Sequence, residues 1–562
     1  MSKITLSLSK IIKNRQKSFI SNCSTLLGCN LAFAIVNLGG CLAISNLLAT
    51  KAHGAEKIYL NYKALEFSLS IDTLETYAKQ GIIEKEFKSY ANFLTPEQLA
   101  QLRVGLTTNA ELSPLAISQF LYSYQGKKLL ERVGKVIQTQ ARQPGFYAIR
   151  SALILAAADE EEGGLTPLNV LKKFPTEAIR IDSEQGFQII ENLSKIVQTN
   201  NKAIAVVEQK ALAESRQTVT TNGATLPNLL RPGYSRYRQQ ILTMNDRSRD
   251  RSFPLNLYLP QQQTTQSVPL IVISHGLGSD RTTFEYFAKH LAGYGFAVAV
   301  PEHPGSNASQ IQALLTGLDN DVTPPQELID RPLDITFLLD ELERDYGEQL
   351  DTQNVGIIGQ SFGAYTALAV AGAELNIEQL ELSCQNLDES WNVSLLLQCL
   401  ALELPEYELE FNLKDDRITS AIAINPLTSA VFGETGMSKI DIPVMLVSGS
   451  ADPVTPALPE QIIPFTWLTT DNKYLALLKG GTHFSALNES GGSIPVPAQA
   501  IGPDPKIAHN YIKQLGLAFF KAYVEENQIY QANLNAKYGA RIGNRTIPLS
   551  LLESLDRTII KE

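Results

Sequence analysis

With 562 residues the chain is too long for one ordinary domain, and 44% hydrophobic against 19% charged residues is a globular composition. A net charge of −10, with no basic stripe and no zinc-ligand spacing, argues against a nucleic-acid-binding role.

The first residues differ from the rest. Lys3, Lys10, Lys13, Arg15 and Lys17 precede an apolar stretch from Leu26 to Leu48, and no acidic residue occurs before Glu56. With small residues at Ala52-His53-Gly54-Ala55, this is the pattern of a signal peptide. Left uncut, the apolar stretch is long enough to span a bilayer. Leu38-Gly39-Gly40-Cys41 resembles a lipobox with Cys41 as lipid anchor, although apolar residues continue past it. Residues 1–55 are therefore expected to be a signal peptide or membrane anchor, and the protein to be exported (periplasmic, extracellular or envelope-associated).

Residues 56–215 read as a mainly helical domain. Leu65, Phe67 and Leu69 alternate with polar residues as a short strand, and helical signals follow. Thr95-Pro96-Glu97-Gln98 is a capping box with proline at the first helical position, and Ser113-Pro114 opens another helix. Phe146 to Ala158 is an apolar helix stopped by Asp159 to Gly164. No paired carboxylates or ligand spacings occur here, so docking, membrane apposition and substrate gating all stay open as roles. The polar residues 216–232 form a linker.

A sheet domain is expected over 233–530, starting with two antiparallel strands, Tyr234 to Met244 and Phe253 to Leu259. The buried-strand run Val268 to Ser274 then leads into His275-Gly276-Leu277-Gly278, a turn whose backbone amides can point into a site. The apolar run Val355 to Ile358 leads into Gly359-Gln360-Ser361-Phe362-Gly363, with Ala364 to Ala371 continuing as a helix. Strand, tight turn and helix around G-x-S-x-G make a nucleophile elbow: the glycines admit the sharp turn and the serine hydroxyl is lifted above the sheet edge. The amides of Leu277 and Phe362 are the candidate oxyanion donors.

An insert from about 374 to 416 follows, with the apolar middle Val393 to Leu402. Too apolar for a solvated loop, it can roof the nucleophile and suits an acyl chain or aromatic ester. Of 5 cysteines only Cys384 and Cys399 lie beyond the leader, and in an oxidising compartment they are expected to form a disulfide.

Ser361 needs a base. Of 6 histidines, His53 lies in the leader, His290 and His509 lie in helical stretches, and His275 and His303 follow strands upstream of the serine. His483, in Gly480-Gly481-Thr482-His483-Phe484 after the strand Lys473 to Leu478, stands downstream on a post-strand loop. Asp452, in a proline-stiffened turn after the strand Pro443 to Ser450, is the matching acid, since the preceding strand ends in Asn425, which cannot carry the charge. Residues 531–562 are left as a C-terminal tail.

The order Ser361, Asp452, His483 is that of the α/β-hydrolase superfamily, and from about Arg231 to Glu526 the chain resembles it. The His275-Gly276-Leu277-Gly278 turn, the Ser361 elbow and Pro301-Glu302-His303-Pro304-Gly305 are similar to platelet-activating-factor acetylhydrolase-like and dienelactone-hydrolase-like esterases. The upstream region is similar to a helical domain of unknown function that precedes such hydrolases in cyanobacteria. The acid departs from the animal acetylhydrolases, which place it one strand earlier, where Asn425 stands here.

The resemblance implies an α/β fold: a mostly parallel α/β-hydrolase sheet with a cap insert, preceded by the helical domain. It implies a serine esterase cleaving lipid-like or hydrophobic carboxylic esters, with Ser361 as nucleophile, His483 as base and neither metal nor organic cofactor. A membrane surface is a further candidate partner. A peptidase or amidase with the same triad and a non-catalytic envelope binding protein are the alternatives.

Overall fold

The computed structural model describes residues 54–62, 65–217, 227–261, 267–385, 387, 390–405, 412–488 and 498–560. Residues 1–53, with Cys23, Cys29, Cys41 and His53, and linker residues 218–226 lie outside the described residues, while Ala55, expected in the leader, is buried in the N-terminal unit.

The N-terminal unit has its own core, built from residues such as Ile71, Leu74, Phe87, Leu121, Leu130 and Ala152. Its helices start where the sequence places caps. Thr95 and Gln98 exchange side chain-to-backbone hydrogen bonds of 2.9 and 3.2 Å at the start of Pro96–Thr107. The Ser113 hydroxyl accepts from the Ala116 amide at the start of Pro114–Tyr122. The unit also carries strands β1 (Lys57–Tyr62), β2 (Leu65–Ser70), β3 (Ile137–Thr139) and β4 (Ala178–Asp182), in the order β2-β1-β4-β3. β3, at three residues, is too short to display a period of two.

The helix Ser183–Gln217 departs from the expected division. Its residues Ala203, Ile204, Val207 and Ala211 are buried in the core of the downstream domain, not that of the N-terminal unit. A helix drawn from upstream of the linker thus completes one face of the hydrophobic layer below it.

Among the described residues a nine-stranded sheet follows, in the order β13-β12-β11-β10-β9-β7-β8-β6-β5. These are β5 (Tyr237–Asp246), β6 (Arg251–Pro260), β7 (Val268–Ser274), β8 (Ala297–Pro301), β9 (Leu350–Gln360), β10 (Ile418–Ile424), β11 (Val444–Gly449), β12 (Lys473–Leu478) and β13 (Leu549–Leu552). The strands from β8 to β12 run parallel, while β5, β6 and β13 add antiparallel edges. Both faces are covered, as a parallel sheet requires. Leu270 and Val272 of β7 enter one core and Ile271 and Ile273 the other. Ala421 and Ala423 of β10 alternate with Ile422 and Ile424 in the same way.

The chain passes from β7 outward to β8, then crosses to β9 on the opposite side of β7. Successive connections therefore diverge at the carboxyl ends of β7 and β9, which is where such sheets open a crevice. The turn at His275 and the turn at Ser361 face each other there.

The segment expected as a tail is instead built in. Helix Ala536–Ile542 packs on β13, and β13 pairs antiparallel with β12, burying Ile547, Leu551 and Leu552 completely. A strand of four residues has too little length to signal itself; its partner supplies the register. We predict that Leu551→Ala lowers the unfolding free energy by about 2–5 kcal/mol, as for a filled core position. A loose tail would leave the urea denaturation midpoint unchanged.

Candidate active site

β9 ends at Gln360 and the helix Phe362–Val370 begins one residue past Ser361, which caps it with φ 55° and ψ −118°. Holding a serine at that backbone angle stores strain on the order of 1–3 kcal/mol. Strand and helix approach so closely that a Cβ on Gly359 would lie 1.9 Å from the Gly363 carbonyl oxygen. On Gly363 it would lie 2.1 Å from that of Ser274. Both positions therefore require glycine. Ser361 is 7% exposed.

Asp452 and His483 meet at 2.7 Å, Oδ2 to Nδ1. The Asp452 carboxylate also accepts from the amides of Val454 (2.7 Å) and Thr455 (2.8 Å) and from the Thr455 hydroxyl (2.8 Å). With Nδ1–H donating to Asp452, Nε2 is the acceptor nitrogen of a neutral His483. The loop carrying His483 is tied to the Ser361 turn: Gln360, the residue before Ser361, donates from Nε2 to the His483 carbonyl at 3.1 Å.

Asn425 takes part in a way its residue type did not announce. It occupies the alternative acid position with φ 47°, and its Oδ1 accepts from the Gly449 amide at 2.9 Å. Its Nδ2 donates to the carbonyls of Thr482 and His483 at 3.3 and 3.4 Å. It clamps the end of β11 to the histidine loop. An Asn closing a strand and tolerant of left-handed backbone was the only signal available.

On the other side of Ser361, the His275–Gly278 turn comes so near that a Cβ on Gly276 would be 3.4 Å from that of Ser361. The amides of Gly278 and Ser279 are engaged with Ser306 and Gly276. The Leu277 amide makes no hydrogen bond among the described residues. Phe362, at the first position of its helix, has an amide with no intrahelical acceptor. His275 is a turn-holder: its Nδ1 donates to the Gly276 carbonyl at 2.8 Å and its Nε2 accepts the His303 amide at 3.0 Å.

Beneath this turn lies a buried polar layer that the sequence did not reveal. His303 Nδ1 bonds Asp334 at 2.8 Å, and His303 Nε2 meets the Ser274 hydroxyl at 3.0 Å, all three residues being fully buried. The arrangement copies a triad in outline but differs in charge. Asp334 is also gripped by Arg251 (2.7 Å) and Arg249 (2.9 Å), so its charge is already matched. Burial, joined by the Arg331 charge, holds His275 and His303 well below the ordinary imidazole range. Burial also pushes the Asp334 carboxyl up, against the pull of those arginines. Asp452, by contrast, has no Lys or Arg partner among the described residues, so its charge is available to an imidazolium at His483.

Cys384 and Cys399 are joined in the insert, with Cα atoms 5.8 Å apart. The bond is not the insert's only attachment. Glu460, fully buried, accepts from the Ser394 hydroxyl (3.0 Å), Gln398 Nε2 (3.1 Å) and the side chain of Asn392, and also from the amides of Thr428 (2.7 Å) and Ser429 (3.0 Å). The Ser394 amide donates to the carbonyl of Val454, two residues past Asp452, which puts the insert against the Asp452 loop. The N-terminal unit reaches both flanks of this edge. Its helix Pro114–Tyr122 packs on Ala308–Leu315, beyond β8, and Arg132 Nη2 donates to the Leu387 carbonyl of the insert at 2.7 Å.

Residues 255–328 match the family described as platelet-activating factor acetylhydrolase, isoform II. The fold is that of an α/β hydrolase. The match runs from β6 through the His275 turn and β8 and stops short of Ser361. Residues 54–182, the N-terminal unit, match a family described as an alpha/beta hydrolase of unknown function (DUF1400). Both matches support a hydrolase.

The buried imidazoles have a consequence for stability. In the unfolded chain they titrate near 6.5, while in the fold His275 and His303 lie well below it and burial takes His290 down to about 4. Below about pH 6.5 the unfolded state therefore binds more protons, so this stability is present above that pH and is lost as pH falls. We predict that Tm drops steadily between pH 7 and pH 5. A flat Tm over that range would mean that these histidines take up protons within the fold.

Proposed function

We propose that this chain is a serine esterase that cleaves hydrophobic, lipid-like carboxylic esters through Ser361, His483 and Asp452. The observation that carries the proposal is the 2.7 Å Asp452–His483 bond on a loop tied to the strained Ser361 turn. Ser361 Oγ attacks the ester carbonyl while His483 Nε2 takes its proton. The oxyanion is held by the amides of Leu277 and Phe362. His483 returns the proton to the departing alkoxide, leaving an acyl-Ser361. Water then attacks the acyl carbon, His483 accepts its proton, and the acid leaves as Ser361 is reprotonated. Asp452 stays ionised throughout and balances the imidazolium.

The lipid-like substrate class is supported by the acetylhydrolase match and by the apolar insert beside the acid loop. Export is also part of this reading. It rests on the basic and apolar residues of the leader and agrees with the Cys384–Cys399 bond, since disulfides persist in oxidising compartments.

We expect Ser361→Ala to abolish hydrolysis of p-nitrophenyl esters and to prevent labelling by an organophosphonate. Asp452→Asn should keep the fold and lower kcat by about 10⁴ through the wrong imidazole tautomer. Equal turnover by wild type and Ser361→Ala would refute the assignment, and faster turnover of p-nitroanilides than of esters would favour an amidase.

The insert is expected to choose the acyl chain. Replacing both Cys384 and Cys399 by Ser removes a 15-residue closure worth about 3 kcal/mol. Because Glu460 still pins the insert, the double variant should keep its turnover of acetyl esters and broaden its preference across longer acyl chains. An unchanged chain-length profile would leave the insert with a packing role alone.

A further inference from the structure

Arg331 is the largest fully buried side chain of the domain, at 0% exposure. Burying a guanidinium is expensive unless its donors are satisfied, and the partners it has found are informative. Nη2 donates to the His275 carbonyl, at the first residue of the oxyanion turn, and to the Ser274 hydroxyl at 3.2 Å. Nη1 donates to the Ser306 hydroxyl at 2.7 Å, and the Ser306 carbonyl accepts the Gly278 amide at 2.8 Å, holding the far end of the same turn. Nε donates at 3.1 Å to Thr366, on the helix that starts at Phe362. The guanidinium carbon lies 4.6 Å from the centre of the Phe362 ring, whose backbone amide is the other oxyanion donor.

One planar, rigid group therefore touches the first residue of the His275–Gly278 turn, reaches the turn's far end through Ser306, and meets both the ring and the helix of Phe362. The charge layer around it orients it. The Ser306 hydroxyl donates to Glu327 at 2.7 Å, and Ser274 is held from behind by His303 and Asp334. Burial lowers Arg331 to about 9, so it remains charged at neutral pH. Lysine, with a point charge and no planar fork, could not span these partners at once.

Resting on the esterase reading above, we propose that Arg331 is a positioning residue that sets the spacing between the Leu277 and Phe362 amides. It never touches the substrate; it fixes the gap into which the oxyanion must fit. Because the oxyanion exists only after attack, a loosened gap weakens the transition state and leaves ground-state binding nearly intact.

The test compares wild type, Arg331→Lys and the milder Ser274→Ala, which removes one acceptor of Arg331 and keeps the guanidinium. Active sites are titrated with a p-nitrophenyl organophosphonate, and kcat and KM for p-nitrophenyl acetate are expressed per titrated site. Arg331→Lys is expected to lose about 10–100-fold in kcat per site with KM within threefold, and Ser274→Ala to lose less, in the same direction. Inhibition by a boronic acid, which forms a tetrahedral adduct on Ser361, should weaken in parallel with kcat. A merely structural role lowers the number of titratable sites and leaves kcat per site unchanged, which overturns the proposal. If Arg331→Lys does not fold, unchanged kcat per site in Ser274→Ala overturns it. A wild type that neither hydrolyses the ester nor takes up the phosphonate overturns the esterase reading itself, a different outcome from an active wild type with indifferent variants.

Discussion

The close contact between β9 and the helix that follows it is the constraint on which the rest of the site depends. Gly359 and Gly363 touch backbone to backbone, and the turn between them can close only if Ser361 accepts φ 55°. That conformation is over-determined by its surroundings: the Ser361 amide donates to the Ile424 carbonyl at 2.9 Å, and the Ser361 carbonyl accepts from Ala364 and Tyr365. The alanines of β10 and of the helix leave room for this approach. With the turn so held, the hydroxyl, the Phe362 amide and the start of the helix share one small space. Each neighbouring loop is then positioned relative to it.

Two Asp–His pairs of nearly equal length lie within this domain, and charge separates them. At Asp334 two arginines already match the carboxylate, and the imidazole is sealed in the core. At Asp452 the carboxylate is met by amides and a hydroxyl, which stabilise an anion and leave its field unspent. Only the second pair can gain from forming an imidazolium during a reaction. The first pair serves as scaffold, tying β7, β8 and the helix Glu327–Tyr346 together beneath the His275–Gly278 turn.

Above the strand ends, polar anchors do what apolar packing alone would leave imprecise. The buried Glu460 gathers donors from the insert and from the segment after β10, so the insert is anchored by more than its disulfide. The N-terminal unit spans from the helix beyond β8 to that insert, and the helix that follows the unit, Ser183–Gln217, enters the domain core.

What the sequence by itself determined was local and periodic. Strands buried on both faces, glycines at G-x-S-x-G, the capping box at Thr95 and the chain order of Ser361, Asp452 and His483 are all written in short windows, because each reflects the steric needs of its immediate neighbours. The α/β class and the residues of the candidate site were legible for that reason. Tertiary structure alone decided what depends on partners distant in the chain. Asn425 was readable as unable to act as the acid, but not as the clamp between β11 and the His483 loop. Leu549–Leu552 became a strand because β12 offered an edge, and Val207 became core because a sheet face lay uncovered. The Arg331 layer escaped notice most completely. A buried charge is stabilised only by groups that the fold brings to it, and Ser274, Ser306, Thr366 and Asp334 carry no mark in sequence of the arginine they would meet.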